Sequence, residues 1–205
     1  WLVVAGNALP LIGIFFFGWD AATLLILYWL ETAVVGLWLF VRLLFVREIE
    51  HADAAGAQTS SGGVFLAIFL LAHSGLFMFG HLYFLTTLAP GTWATHLGSL
   101  SDFVLNFVVP TGLWLPLAGL FAVRGILTIG EIRRGAETGH LIAGFYARII
   151  VMQFVIIFGA MIAMMLGNPL PLLVLLVALK IVIELLWDHL IGPLADAFRT
   201  PSPGS

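Results

Sequence analysis

The chain has 205 residues, of which 61% are hydrophobic and only 9% are charged. Soluble domains carry about 45–50% apolar and about 25% charged residues, so this composition excludes a globular water-soluble enzyme and indicates an integral membrane protein. The formal net charge is −3, and without basic runs the sequence gives no reason to expect a nucleic-acid partner. The absence of cysteine excludes disulfides and thiolate metal ligands.

Six stretches are apolar and long enough to cross the hydrocarbon core of a bilayer, which takes about 20 residues. Their apolar runs are continuous rather than alternating, so they predict helices and not the strands of a β-barrel. We therefore expect an all-α fold, a polytopic six-helix transmembrane bundle over residues 1–195 with a polar tail over 196–205. The predicted spans lie near 1–18, 21–46, 63–88, 102–129, 142–166 and 170–194.

Backbone signals mark one connection and two of these spans. Residues 56–63, rich in Gln, Ser, Thr and Gly, are typical of a mobile linker. Pro110, Gly112 and Pro116 predict a kinked or broken helix in the fourth span. Small residues at four-residue spacing in the fifth span would allow close approach of another helix, within this chain or in another subunit. They are Gly159, Ala163 and Gly167.

The arginines predict the orientation of the bundle. The connections alternate between two sides, and the short connections on one side carry no Lys or Arg. By the positive-inside rule the other side is cytoplasmic, and both termini lie there. Trp19 and Trp93 are then expected in the outer aromatic belt. The arginines at or near the cytoplasmic side are Arg42, Arg47, Arg124, Arg133, Arg134 and Arg199, and Arg148 leans the same way.

Polar side chains recur at one depth in four of the spans. At a rise of about 1.5 Å per residue, each lies about 15 Å into its span. An ionisable group at that depth costs about 2.5–3.5 kcal/mol, so the common level favours a shared buried site in which Glu31 and Lys180 pair. The predicted midplane cluster consists of Glu31, His73, Gln153 and Lys180.

A second polar group is predicted nearer the cytoplasmic face. Glu184 and Asp188 follow Lys180 on one face of the sixth span, and Arg124 and Arg148 approach them from the fourth and fifth spans. Joined to the midplane cluster, this stripe would form a polar column suited to a proton relay or a polar-solute path. The alternative is an ion-pair network that only fixes the helix register.

The histidines allow two cofactor interpretations. His81 could meet His96 of the outer loop, with Asp102 or Asn106, and hold a metal ion in the outer leaflet. His73, with small residues beside it, could hold a haem or chlorin from one side. A hydrogen bond to a neighbouring helix is the alternative for each of them. The sequence requires no cofactor, and without a GxSxG or HExxH motif no catalytic residue is assigned.

Several strings stand out along the spans: LYWLE at 27–31, His73, IIFG at 156–159, LGNPL at 166–170, and Lys180. They resemble the DUF6498 family of bacterial and archaeal membrane proteins, and the likeness covers all six spans. The family segment usually reads LGSPL, so Asn168 departs from it. The resemblance implies a multi-pass membrane protein and draws attention to Glu31, His73 and Lys180. It implies no substrate, since the family has no assigned activity.

Three functions fit these observations. The first is a non-catalytic accessory or binding subunit of a larger membrane assembly, in which the midplane cluster ties the helices together. The second is a proton-coupled carrier of a small polar solute, with Glu31 and His73 handling protons and Lys180 as the countercharge. The third is a metal- or pigment-binding membrane protein that uses His73 or His81. The small extramembrane mass and the small-residue stripe favour the first.

Overall fold

The computed structural model is a helical protein with one short β-hairpin. It describes residues 16–46, 48–52, 58–88, 91–134 and 138–154, together with Gly13, Phe158 and Met165. Most of the first predicted span, the end of the fifth, the whole sixth span and the tail lie outside these residues. The helices are α1 (Ala21–Phe45), α2 (Gly63–Leu88), α3 (Leu100–Phe103), α4 (Trp114–Arg134) and α5 (Gly139–Phe154). A 3₁₀ turn covers Thr92–His96, and a π-helical turn, Val104–Val108, follows α3.

The central helix of the described bundle is α1, which packs against α2, α4 and α5. It begins at Asp20, whose Oδ1 accepts a hydrogen bond from the backbone N–H of Thr23 at 2.7 Å. This cap satisfies one of the N–H groups that a helix start leaves without a partner. The helix buries its first apolar run, Leu24–Tyr28, in a core that also holds Trp93 and Phe107. A second core lies further along α1, around Leu43 and residues of α2 and α5.

Contacts between helices show that the long helices alternate in direction. The indole N–H of Trp29 in α1 donates to the carbonyl oxygen of Met78 in α2 at 2.8 Å, and the end of α1 meets the start of α2. Trp38 contacts Phe121 with ring centroids 5.0 Å apart, and Arg42 contacts Glu131 further along both helices, so α4 runs parallel to α1. Arg42 donates to Thr138 at 3.2 Å, just before α5. Arg133 and Arg134 lie with Arg42 at this end of the bundle, hereafter the arginine end.

Three of the described helices are long and apolar enough to cross a membrane by length and composition. They are Ala22–Phe45, Gly63–Thr87 and Trp114–Arg134, while Leu141–Phe154 is a shorter apolar helix. These helices agree with the predicted second, third and fourth spans in place, although the fourth is shorter than predicted. The number of six spans and the side that faces the cytoplasm remain predictions.

The predicted break in the fourth span is confirmed, and it divides the stretch 102–129 in two. Helix α3 and the π-helical turn end before Pro110, and Gly112 has φ +76°, a left-handed conformation that glycine adopts without steric cost. The freed carbonyl oxygen of Thr111 accepts a hydrogen bond from the indole N–H of Trp19 at 2.8 Å. Pro116 does not contribute to the break, because it lies in the first turn of α4, where no backbone N–H has a partner within the helix.

The linker predicted over 56–63 is wrong for most of that segment. Strand β1 (Glu48–Ala52) pairs antiparallel with β2 (Gln58–Gly62), with Glu48 opposite Gly62 and Ala52 opposite Gln58. Backbone hydrogen bonds between strands do not depend on apolar side chains, so the Ser- and Thr-rich composition gave no sign of the hairpin. The helical fold class holds, and one two-stranded ribbon is added to it at the arginine end.

Candidate functional site

Two polar pairs join α2 to α5. Nδ1 of His73 lies 3.0 Å from the hydroxyl oxygen of Tyr146, and Nε2 of His81 lies 2.7 Å from Oε1 of Gln153. The residue numbers rise in both helices from the first pair to the second, so α2 and α5 run parallel. His73 and His81 are about 12 Å apart along their helix, and Tyr146 and Gln153 about 10.5 Å. The pairs therefore form two rungs, about two helical turns apart.

The first rung is open to the surroundings of the protein. His73 is exposed in the middle of α2, its ring stacked on Phe69 with centroids 5.2 Å apart and an interplanar angle of 11°. Phe77 meets the same imidazole edge-on, also at 5.2 Å. The Tyr146 ring is tilted against it at 5.6 Å. A polar group held by three aromatic rings thus faces outward from an apolar helix.

The second rung is buried. The His81 side chain is only 2% exposed, and its Nε2–H donates to the carboxamide oxygen of Gln153. Its other nitrogen, Nδ1, is buried without a hydrogen-bond partner among the residues that the structure describes. Since the neutral imidazole donates from one nitrogen and accepts at the other, this Nδ1 is an unused acceptor. The rung links α2 to α5 and does not present His81 to a ligand at the surface.

The structure corrects one part of the predicted midplane cluster. His73 and Gln153 do not share a partner or a level, because each occupies a different rung. Glu31 is half-buried in α1 and makes contacts of its own. Lys180 lies outside the described residues, so its pairing with Glu31 stays a prediction.

Sequence reasoning missed Tyr146 and the pairing of His81 with Gln153. A signal was present in the spacing of the polar residues. His73 and His81 are eight positions apart, Tyr146 and Gln153 seven, and both intervals are about two helical turns. Two helices with polar groups at matching intervals can pair them twice if they lie side by side in the same direction.

The predicted cytoplasmic stripe is described only in part. Arg124 and Arg148 are half-buried in α4 and α5, whereas Glu184 and Asp188 lie outside the described residues. Arg148 follows Tyr146 by two positions, about 3 Å of helix rise, which sets it near the level of His73. The sequence places Arg148 a turn or two inside the fifth span, and its approach to Glu184 and Asp188 stays a prediction.

A buried ion pair at the arginine end was not predicted. Arg42 is 1% exposed, and its guanidinium contacts the carboxylate of Glu131 in α4. Its Nε also donates to Oγ1 of Thr138, which precedes α5. Arg42 thus ties the ends of three helices together, although the sequence suggested for it only a role in orientation.

The predicted outer metal site does not form as expected. His96 Nδ1 contacts Asp102 Oδ2 at 3.1 Å, and Asn106 donates to the other carboxylate oxygen at 2.5 Å. His81 is bound to Gln153 instead of joining them. Within the part of the chain that the structure describes, no three His, Cys, Asp or Glu side chains form a group that could hold a metal ion.

The partly buried contact between His96 and Asp102 predicts a pH effect. The hydrogen bonds from Asn106 and then His96 hold the pKa of Asp102 below its usual value. A carboxyl with a lowered folded pKa stabilises the fold above its unfolded pKa, and this stabilisation is lost as the pH falls through the folded value. We expect Asn106→Ala to raise the pKa of Asp102 towards that of an ordinary aspartate in an NMR titration, because the variant removes the first of these hydrogen bonds. Thr95→Ala on the same loop is the control; an equal pKa in both variants would contradict this assignment.

The fold and the paired polar groups define a helical protein with membrane-compatible helices. The family model DUF6498, described as a family of unknown function, matches residues 1–200. The chain belongs to this family, which confirms the resemblance seen in the sequence. No curated protein and no solved structure matched the chain.

Proposed function

We propose that this chain is a non-catalytic integral membrane protein that acts as an accessory or binding subunit of a larger membrane assembly. The observation that carries the proposal is the outward face of α4. Of the apolar window of this helix only 11% is buried within the described fold, compared with 39% for α1. A helix that is apolar and so little covered must meet lipid or another protein, and its composition favours a protein.

The α4 outer face consists of residues that lie within about 80° of one another on the helix. Leu115, Val123 and Ile126 are exposed on it by 49%, 56% and 72%. Two glycines share this face: Gly119, between Leu115 and Val123, has no neighbouring atom where a Cβ would be, and Gly130, after Ile126, has only the end of one arginine side chain. Small residues among large apolar ones let another helix approach closely. The members of the face are Leu115, Gly119, Val123, Ile126 and Gly130.

Polar contacts of the described helices support a structural use of their polar groups. His81 with Gln153 and Arg42 with Glu131 each join two helices, and neither pair is exposed along a path through the bundle. A carrier needs polar groups that reach a common path. The carrier function with Glu31, His73 and Lys180 therefore has less support, and the stripe of Gly159, Ala163 and Gly167 stays a predicted second contact surface.

The distribution of arginine supports the proposed location. Arg42, Arg133 and Arg134 lie at one end of the bundle, and Trp19 and Trp93 lie towards the other. We take the arginine end to face the cytoplasm of a bacterial or archaeal cell, with both termini on that side.

The proposal predicts a fixed partner. We expect the tagged chain, extracted from its native membranes in mild detergent, to migrate in native electrophoresis with one other membrane protein in constant ratio. Ile126→Gln places a polar group on the α4 outer face and is expected to abolish this complex. Ile68→Gln, at a 62% exposed position of α2, is the matched control and should keep it. Migration of the wild-type chain alone, in several detergents, would overturn the proposal.

A further inference from the structure

His73 combines a polar ring with a position deep in an apolar helix. It lies ten residues from Gly63 and fourteen from Thr87, the ends of the membrane-compatible stretch of α2. These intervals correspond to about 15 Å and about 21 Å of helix, so the imidazole lies near the middle of the hydrocarbon. It is nevertheless exposed, and its neighbours Phe69, Leu76 and Phe77 are exposed by 44–71%.

The hydrogen bond to Tyr146 fixes which nitrogen of His73 carries the proton. Among the described residues, the Tyr146 hydroxyl has no acceptor other than Nδ1 of His73, 3.0 Å away. A phenol O–H left without an acceptor in an apolar environment is costly, so the hydroxyl donates and Nδ1 accepts. The neutral imidazole then carries its proton on Nε2. His73 is exposed, and no residue in the described part of the chain accepts a hydrogen bond from its Nε2–H.

An N–H donor at the centre of a bilayer needs an acceptor that is itself soluble in hydrocarbon. Phe69 and Phe77 both contact the imidazole and are both exposed, so they offer aromatic surface beside it that suits a flat apolar ring. A quinone with a prenyl or alkyl tail has both parts, since its carbonyl oxygens accept hydrogen bonds and its ring is planar. We propose that His73 donates from Nε2 to a carbonyl oxygen of a lipid-soluble quinone bound against Phe69 and Phe77.

Ligation of a haem or chlorin metal by His73 requires the opposite tautomer. The metal would take the lone pair of Nε2, the proton would move to Nδ1, and the Tyr146 O–H would lose its acceptor. The hydroxyl therefore discriminates between the two ligands. Because the Tyr146 hydrogen bond leaves Nε2 as a donor, a quinone fits His73 better than a metal does. Metal ligation is one of the outcomes that the test can detect.

The proposal is tested with the full chain in lipid nanodiscs and a ubiquinone carrying a decyl tail as the probe. We expect His73→Phe to weaken the binding of this quinone by about tenfold, the effect of losing one hydrogen bond of about 1.4 kcal/mol. Tyr146→Phe removes the hydrogen bond that holds the His73 proton on Nε2. The imidazole can then carry its proton on either nitrogen, and quinone binding should weaken by a smaller factor. His73→Gln, whose side-chain nitrogen can replace Nε2 as donor, should restore most of the affinity. Tyr83→Phe, at an exposed tyrosine of the same helix, is the control and should bind like the wild type.

Two results would overturn the proposal. One is equal quinone affinity in the wild type and in His73→Phe, with thermal melting showing that both are folded. The other is a haem absorption band that appears on addition of iron protoporphyrin and is lost in His73→Phe. If His73→Phe does not fold, the quinone affinities of Tyr146→Phe and Tyr83→Phe are compared instead, and equal affinities would overturn the proposal. The site does not depend on a partner protein, so failure of the co-migration experiment leaves it standing.

Discussion

Replacing Glu131 with Gln is expected to lower the free energy of unfolding by about 3 kcal/mol. Arg42, its partner, is 1% exposed, so the substitution removes the Glu131 carboxylate from a buried guanidinium charge. Water cannot reach Arg42 to replace the lost ion pair. The Glu131 side chain, however, is 34% exposed, so the pair is only partly buried and the expected loss of stability lies towards the lower end of the range for buried pairs. Unfolding in mixed micelles with increasing SDS measures the change.

Two further variants separate the ion pair from general damage. Arg133→Gln removes an exposed charge from the same turn of α4 and should change stability by less than about 0.5 kcal/mol. The double variant Arg42→Met with Glu131→Leu replaces both charges with apolar groups and should recover at least half of the loss. The single variants Arg42→Met and Glu131→Leu complete the cycle, and a loss in the double variant equal to the sum of their losses would show that the two side chains do not stabilise each other.

The second large effect is expected at Gly125, where α4 touches α1. A Cβ added there would lie 2.6 Å from Cζ2 of Trp38, too close for the ring to stay where it is. Gly125→Ala should therefore destabilise the fold by about 1–3 kcal/mol, the usual cost of overpacking. The same SDS unfolding measurement applies, and a loss of the contact between Trp38 and Phe121 should change the tryptophan fluorescence.

Gly119→Ala is the matched control, because it makes the same substitution in the same helix. No atom lies within 4 Å of a Cβ at Gly119, so alanine adds helix propensity without a clash. This variant should be as stable as the wild type or more stable by about 0.5–1 kcal/mol. Equal effects at the two glycines would show that helix propensity, and not the approach to Trp38, decides both.

The sequence predicts features that depend on one stretch of chain alone. A run of about 20 apolar residues crosses a bilayer wherever it packs, which is why the second and third spans agree with α1 and α2. Pro110 lacks an N–H and Gly112 accepts positive φ, so the break before α4 is fixed by covalent structure. These predictions need no knowledge of neighbouring helices.

The candidate site could not be predicted in the same way. Depth along a span is one coordinate, but contact also requires the rotation of each helix, which changes by 100° per residue. His73 and Gln153 have the same predicted depth and yet lie on different rungs. The prediction sets both spans at the same level, whereas in the structure α5 is shifted along α2 by about two turns relative to that alignment. Arg42 and Glu131 were missed because their pairing depends on how α1 and α4 lie side by side.

The two rungs between α2 and α5 also constrain the order of assembly. Their partners are 73 and 72 positions apart in the chain, while the contact of Trp29 with Met78 spans 49. During synthesis the hairpin of α1 and α2 can close before α5 has left the ribosome. His73 and His81 of α2 therefore stay without Tyr146 and Gln153 until α4 has been synthesised and α5 packs beside α2.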